Sequence, residues 1–153
     1  KVNYFYGRKK NQTWRLLSEI IKDDLNPEDF ETFLLKLKKH KIACMDMIRS
    51  VNVPDERLSA INGEGYSDAK LINNKIQREH NTSYILNTIG QNENINVYST
   101  WGTGPQIASW ANETKKIENI IPLVSPSMAA RVPAGTEKFK FMLEDWTFKI
   151  NSK

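Results

Sequence analysis

The sequence predicts an α/β fold in which a parallel sheet is covered on both faces by helices. Three observations predict it. Short apolar runs with strand character recur at 42–46, 96–101 and 119–124. Amphipathic, helix-periodic stretches alternate with them. At 153 residues the chain is long enough for one core and too short for two comfortable domains. In such folds ligands bind beyond the carboxyl ends of the strands, so 46–50, 100–104 and 125–131 are expected to share one rim.

Each element has its own signal. The opening Val2-Asn3-Tyr4-Phe5-Tyr6-Gly7-Arg8-Lys9-Lys10-Asn11 sets three aromatics beside a basic cluster and turns through Gly7. A helix follows over 12–25, with Trp14, Leu17, Ile20 or Ile21, and Leu25 near helical spacing. Asn26 and Pro27 suit a helix start, and Phe30, Phe33, Leu34 and Leu37 recur at i, i+3, i+4 and i+7 up to about His40. The basic run 36–41 reads as the solvated end of that helix, where cations suit the dipole. A buried strand is expected to end near Asp46. Residues 50–66, with Pro54, Gly63 and Gly65, read as an irregular excursion. Helices are expected at 69–78 and 83–89, the first with Leu71, Ile72 and Ile76 as its stripe. The strand 96–101 breaks at Gly102-Thr103-Gly104-Pro105 into a helix over 105–114. The run 117–124 is the last strand. A final helix from about 136 carries Phe139, Met142, Leu143, Trp146 and Ile150.

Composition excludes several chemistries. A single cysteine, Cys44, rules out an internal disulfide and a four-cysteine cluster, and suits core filling in a reducing cytoplasm. Two histidines, His40 and His80, leave little material for a His-based metal site or a Ser-His-Asp triad. No apolar run approaches the roughly 20 residues of a membrane span. The net charge of +4 leans toward an anionic partner.

Two stretches on the expected rim carry candidate chemistry. Leu123-Val124-Ser125-Pro126-Ser127-Met128-Ala129-Ala130-Arg131 ends an apolar run in small hydroxylated residues and a cation. It reads either as a strand-to-helix turn or as a phosphate-gripping loop with a basic tip. Asn11 either caps the first helix or hydrogen-bonds a base edge and positions a water. Tyr4, Phe5 and Tyr6 beside Arg8, Lys9 and Lys10 offer base stacking next to phosphate contacts, or pack on the first helix. Gly102-Thr103-Gly104 has neither the Walker spacing and lysine nor the third glycine of a dinucleotide fingerprint. Ser125 and Ser127 lack a Gly-x-Ser-x-Gly elbow and a histidine partner, which disfavours a small α/β hydrolase.

Together these residues resemble the uracil-DNA glycosylase superfamily, nearest the hypoxanthine (deoxyinosine) branch, with a further likeness to the thymine/mismatch glycosylases. Phe5-Tyr6-Gly7-Arg8-Lys9-Lys10-Asn11-Gln12-Thr13-Trp14 is similar to the hypoxanthine branch's Tyr-Tyr-x-His-x-x-Asn-x-Phe-Trp segment. Lys41-Ile42-Ala43-Cys44-Met45-Asp46-Met47-Ile48 resembles its Gly-Ile-Ala-x-Trp-Asp-Val segment, and Ser67-Asp68-Ala69 a Ser-Asp-rich stretch downstream. Ser125-Pro126-Ser127-Met128-Ala129-Ala130-Arg131, followed by Glu137-Lys138, is similar to the closing Pro-Ser-x-Ser-Ala-Arg loop of the mismatch enzymes, with one residue more.

The resemblance implies a three-layer α/β/α sandwich around a central, mostly parallel sheet of about four strands. It implies a single domain over 1–153 that lacks the superfamily's initial strand and Gly-x-x-Pro-Gly-type loop. It implies a monofunctional DNA glycosylase, monomeric, without metal or other cofactor, acting on DNA in the cytoplasm or nucleus. Asn11 would be the principal catalytic residue. Phe5, Tyr6, Gly7 and Asp46 would contact the extruded base, with Tyr6 or Phe5 stacking on it. Arg8, Lys9, Lys10, Ser125, Pro126, Ser127, Met128, Ala129, Arg131 and Lys138 would contact DNA. Arg131 or Met128 would fill the gap left by the flipped nucleotide. The alternative is a catalytically inactive nucleic-acid-binding module of the same fold.

Overall fold

The structure is a computed structural model that describes residues 5–7, 10–62, 68–92, 94–101 and 112–152. Arg8, Lys9, the aromatic Tyr4, Ser67 and the Gly102-Thr103-Gly104 turn lie outside the described residues, as does most of the helix expected over 105–114. The chain is mixed α/β, in the order α1 (Thr13–Ile21), α2 (Phe30–Lys39), β1 (Ile48–Asn52), a 3-10 turn (Asp55–Arg57), α3 (Leu58–Ile61), α4 (Asp68–Asn73), β2 (Gln77–His80), α5 (Thr82–Gly90), β3 (Tyr98–Ser99), β4 (Ile121–Pro122) and α6 (Lys138–Asn151). It divides into two compact units, one made of Lys1–Met45, Tyr98–Gly102 and Ile121–Lys153, the other of Asp46–Val97 and Thr103–Ile120.

In the first unit β3 and β4 pair in parallel, Tyr98 opposite Ile121 and Ser99 opposite Pro122. Leu123 N continues the ladder by donating to Ser99 O at 2.8 Å. The core on this pair consists of Leu16, Leu123, Met142 and Trp146, flanked by Leu17, Ile20, Phe139 and Leu143. Burying a side chain as completely as Leu16 is worth about 1.5–3 kcal/mol. Helix α6 grips the segment after β4 with polar groups as well. Asp145 Oδ2 accepts from Val124 N at 2.9 Å, and Trp146 Nε1 donates to Val124 O at 2.8 Å. Lys149 Nζ donates to Pro122 O at 2.6 Å. These side chains take the backbone groups that a neighbouring strand would otherwise use, which explains why the expected strand 117–124 is only two residues long. Its start is lost for another reason: Ile117 N donates back to Thr114 O, and Asn119 sits at φ 58°, outside extended geometry.

A second cluster of the same unit joins Trp14, Leu25 and Phe33, with Tyr6, Ile42 and Cys44 against it. Trp14 and Phe33 meet edge to face at 4.7 Å. This cluster corrects the strand expected at 42–46. Lys41 turns through φ 53° and Ile42 N donates to Leu37 O at 2.9 Å, closing α2, after which 42–46 is irregular. Ile42 and Cys44 point at the cluster while Ala43 and Met45 are exposed. Only alternate residues of the apolar run that suggested a strand are turned inward, and they pack on helices. Burial pushes the Cys44 thiol up to about 11, which suits core filling.

The basic end of α2 is not merely solvated. Lys36, Lys39 and His40 converge on Asp23 at 3.1, 2.9 and 2.9 Å. The α6 N-terminus is capped by Glu137, whose carboxylate accepts from Phe139 N and Lys140 N. Before it, Gly135 at φ 78° makes the turn in which Thr136 N donates to Pro133 O.

In the second unit β1 and β2 form an antiparallel pair, Val51 opposite Arg78 and Asn52 opposite Gln77, with an irregularity between Ile48 and Ser50. Here two expectations are corrected. The excursion 50–66 opens with strand, a 3-10 turn and α3. The helix expected over 69–78 ends at Asn73 and gives way to β2. Both strands are polar (Ile-Arg-Ser-Val-Asn and Gln-Arg-Glu-His) and held by cross-strand bonds such as Ser50 Oγ to Glu79 Oε2 at 2.9 Å. The helix expected over 83–89 is α5, one residue longer at each end, and the Thr82 hydroxyl donates to Glu113 at 2.7 Å.

Candidate functional site

The two stretches singled out at opposite ends of the sequence meet in the first unit. Residues 10–12 run antiparallel to residues 126–128. Gln12 N donates to Pro126 O at 2.9 Å, Met128 N to Lys10 O at 3.4 Å, and Asn11 and Ser127 form a β-bridge. The Asn11 amide and the 125–131 loop are therefore one construction.

Asn11 is set by the start of α1. Its Oδ1 accepts from Thr13 N at 2.9 Å and from the Thr13 hydroxyl at 2.6 Å. The oxygen thus holds the first residue of α1 from one position before the N-cap, Gln12, which carries no side-chain cap of its own. Among the described residues nothing takes a hydrogen bond from Nδ2, and the residue is part-exposed.

The two aromatics before it part company. Tyr6 packs on the Trp14 cluster, its ring 6.1 Å from Trp14, and its hydroxyl bonds to Thr100 Oγ1 at 2.8 Å. Among the described residues Phe5 is held through its carbonyl, which accepts from Trp14 Nε1 at 2.9 Å, and its ring is 48% exposed. Of the pair, Phe5 has the free face. Gly7 lies beside them, half-buried, and Lys10 is exposed. Thr100, two residues beyond the Ser99–Tyr98 ladder's first position, was signalled only as part of the rim stretch 100–104.

The loop is internally braced. Ser125 Oγ accepts from Ser127 N at 3.4 Å, Ser127 Oγ from Ala129 N at 3.1 Å, and Ser127 O from Ala130 N at 2.9 Å. Both serine hydroxyls keep their own O–H to donate, the polarity an anion needs. Pro126 is buried, whereas Met128 is 46% exposed and Ala129 and Arg131 are exposed. Among the described residues Arg131 forms no ion pair. Lys138 lies inside the construction: its Nζ donates to Met128 O at 2.6 Å and ties the loop to the start of α6. Arg15, one turn into α1, stacks its guanidinium 3.9 Å from the Phe139 ring and adds an exposed cation that no motif signalled.

Asp46 belongs to the second unit. Its Oδ1 accepts from Ile48 N at 2.9 Å and its carbonyl from Asn81 Nδ2, so it shapes the entry to β1. The stretch 46–50 leads into an antiparallel strand rather than out of a parallel one, which removes the topological reason for placing it on the rim. Among the described residues no group of three His, Cys, Asp or Glu side chains is placed to hold a metal ion, and no helix is long and apolar enough to cross a membrane.

No family model matches the chain, and no solved structure does. Over 143 residues, 92% of this chain and 82% of the relative's length, it is 27% identical to a hypoxanthine DNA glycosylase of Methanosarcina barkeri (strain Fusaro). The chain is thus similar along nearly its whole length to a hypoxanthine DNA glycosylase, the branch that the motifs at 5–14 and 41–48 resemble.

Proposed function

We propose that this protein is a monofunctional DNA glycosylase, which extrudes a deaminated, mismatched or otherwise modified base and hydrolyses its N-glycosidic bond. The observation that carries the reading is the pairing of residues 10–12 with 126–128, which joins the Asn11 amide to the serine–arginine loop. The reading treats the chain as one glycosylase-like domain acting as a monomer on DNA. With it comes the superfamily's three-layer sandwich, of which the parallel β3–β4 pair would be a part.

The chemistry needs few groups. Extruding a base costs a few kcal/mol and leaves a vacancy in the stack. Met128 and Arg131, exposed on the loop, are the candidates to fill it. Lys10 and the Ser125 and Ser127 hydroxyls would contact phosphates. Phe5 would stack on the extruded base, with Tyr6 and Gly7 forming the wall behind it. In the reaction the C1′–N bond breaks with its electron pair going to the base. The oxygen of a water bonds to C1′, and its proton is lost to solvent. Asn11 would meet the base as its negative charge develops. Lys138, bonded to the Met128 carbonyl, is better suited to holding the loop than to reaching DNA.

The test is incubation of the protein with duplex and single-stranded oligonucleotides carrying one hypoxanthine, uracil, mismatched thymine or bulkier modified base. Alkali-labile abasic product from at least one of them, absent with Asn11→Ala, is the expected result. DNA binding without product from any would replace the enzyme with an inactive DNA-binding module.

A further inference from the structure

The start of α1 and catalysis make opposite demands on the Asn11 amide, and its hydrogen bonds decide which end serves which. A main-chain N–H only donates, so the amide atom facing Thr13 N is the oxygen and not the nitrogen. A carbonyl oxygen offers two lone pairs. One receives Thr13 N at 2.9 Å, the other the Thr13 hydroxyl at 2.6 Å. Thr13 is 2% exposed, so water competes poorly for its hydroxyl. Oδ1 is then fully committed, and Nδ2 keeps both hydrogens with no acceptor among the described residues. The segment that 5–14 resembles has phenylalanine where this chain has Thr13, and phenylalanine has no hydroxyl to give.

We infer that Thr13 is a positioning residue that fixes the Asn11 amide as a hydrogen-bond donor, so that Asn11 acts on the departing base and does not hold the attacking water through Oδ1. The inference rests on the glycosylase reading and names how its amide works. As the C1′–N bond breaks, Nδ2–H donates to the base atom that gains negative charge. Water adds to C1′ without Asn11 accepting from it. A donor already aimed needs no reorganisation as charge develops, the source of most electrostatic catalysis. Without the hydroxyl, one lone pair is freed and the amide is held by a single bond.

Two measurements test this together. Thr13→Val keeps the shape and removes the donor, while Thr13→Ser keeps the hydroxyl. On a duplex oligonucleotide with one deoxyinosine, Thr13→Val should lower kcat by about 10- to 100-fold with KM within about twofold, as expected when a positioned group loosens. Thr13→Ser should recover to within about threefold. Independently of substrate, the heteronuclear NOE of the Asn11 side-chain amide, assigned by its disappearance in Asn11→Ala, should match the folded backbone in the wild type and fall in Thr13→Val. A mobile amide in the wild type overturns the inference even if the valine variant fails to fold, and so does unchanged kcat in a folded Thr13→Val protein. A wild type that releases no base from any oligonucleotide overturns the glycosylase reading instead, and the amide relaxation still decides whether Thr13 fixes Asn11.

Discussion

Replacing Asn11 removes two things at once, the acceptor that holds Thr13 at the start of α1 and an amide donor, and two substitutions separate them. Asn11→Ala deletes the acceptor of both Thr13 bonds. A side-chain hydrogen bond to a helix-end N–H is worth about 0.5–1.5 kcal/mol, and a buried hydroxyl left unsatisfied costs about 1–3 kcal/mol. The two overlap, because the hydroxyl can turn to another acceptor, so about 2 kcal/mol is expected, a fall in Tm of roughly 4–8 °C. Asn11→Asp keeps the acceptor. It also adds the first acidic group at a helix whose opening turn has none, worth about 0.3–1 kcal/mol. Its Tm should therefore equal the wild type's or exceed it slightly. Activity should follow a different order. Both variants lose the donor, and the carboxylate also repels the departing base, so Asn11→Asp should excise no better than Asn11→Ala despite being the more stable. Circular dichroism melts and single-turnover base release measure the two properties on the same samples. Equal Tm values for Asn11→Ala and wild type would mean that the two Oδ1 bonds to Thr13 do not hold the start of α1. An Asn11→Asp variant that excises as fast as wild type would refute the donor argument, because a carboxylate oxygen can only accept.

Other consequences can be read with less work. Arg131→Ala should slow excision from paired duplex about tenfold while changing single-stranded substrate by less than about threefold, because only the duplex leaves a vacancy to fill. Equal losses on both, measured side by side, would make Arg131 a phosphate contact. The Asp23 carboxyl is held well below its ordinary value of 3.8 by hydrogen bonds from His40, Lys39 and Lys36. A carboxylate with a depressed folded pKa stabilises the fold above its unfolded value and loses that contribution as pH falls through the folded one. Tm should accordingly drop as pH is lowered below about 4, and Asp23→Asn should flatten that acid limb in a series of melts. An unchanged slope in the variant would mean that the cluster is solvated and unimportant.

Much of the fold was legible because the helices carry their faces in their spacing. Trp14 and Leu17 in α1, Phe33 and Leu37 in α2, and Met142 and Trp146 in α6 all turn inward at the positions their periodicity indicates. The parallel relation of 98–99 to 121–122 was also readable from order alone. The strand expected at 42–46 failed because a short apolar run does not say what its side chains pack on, and here Ile42 and Cys44 pack on helices. Strands β1 and β2 left almost no trace, since Arg49, Ser50, Arg78 and Glu79 carry no apolar alternation. The site was legible as two separate motifs but not as one object. The bonds joining 10–12 to 126–128 run between backbone groups of residues far apart in sequence, and such bonds impose no side-chain pattern. Asn11 illustrates the limit most plainly: its oxygen is taken by the Thr13 N–H and hydroxyl, partners that no spacing in the sequence signals.

On the proposed function, the Asn11 amide and the 125–131 loop together excise a base from DNA. Its most direct test is chromatographic detection of the free base after incubating the protein in excess with a duplex holding a single deoxyinosine, the base class in the name of the Methanosarcina relative. Free hypoxanthine released by the wild type and lost in Asn11→Asp is the result the account predicts. Intact DNA from the wild type, with the same outcome for uracil, mismatched thymine and bulkier bases, would contradict it.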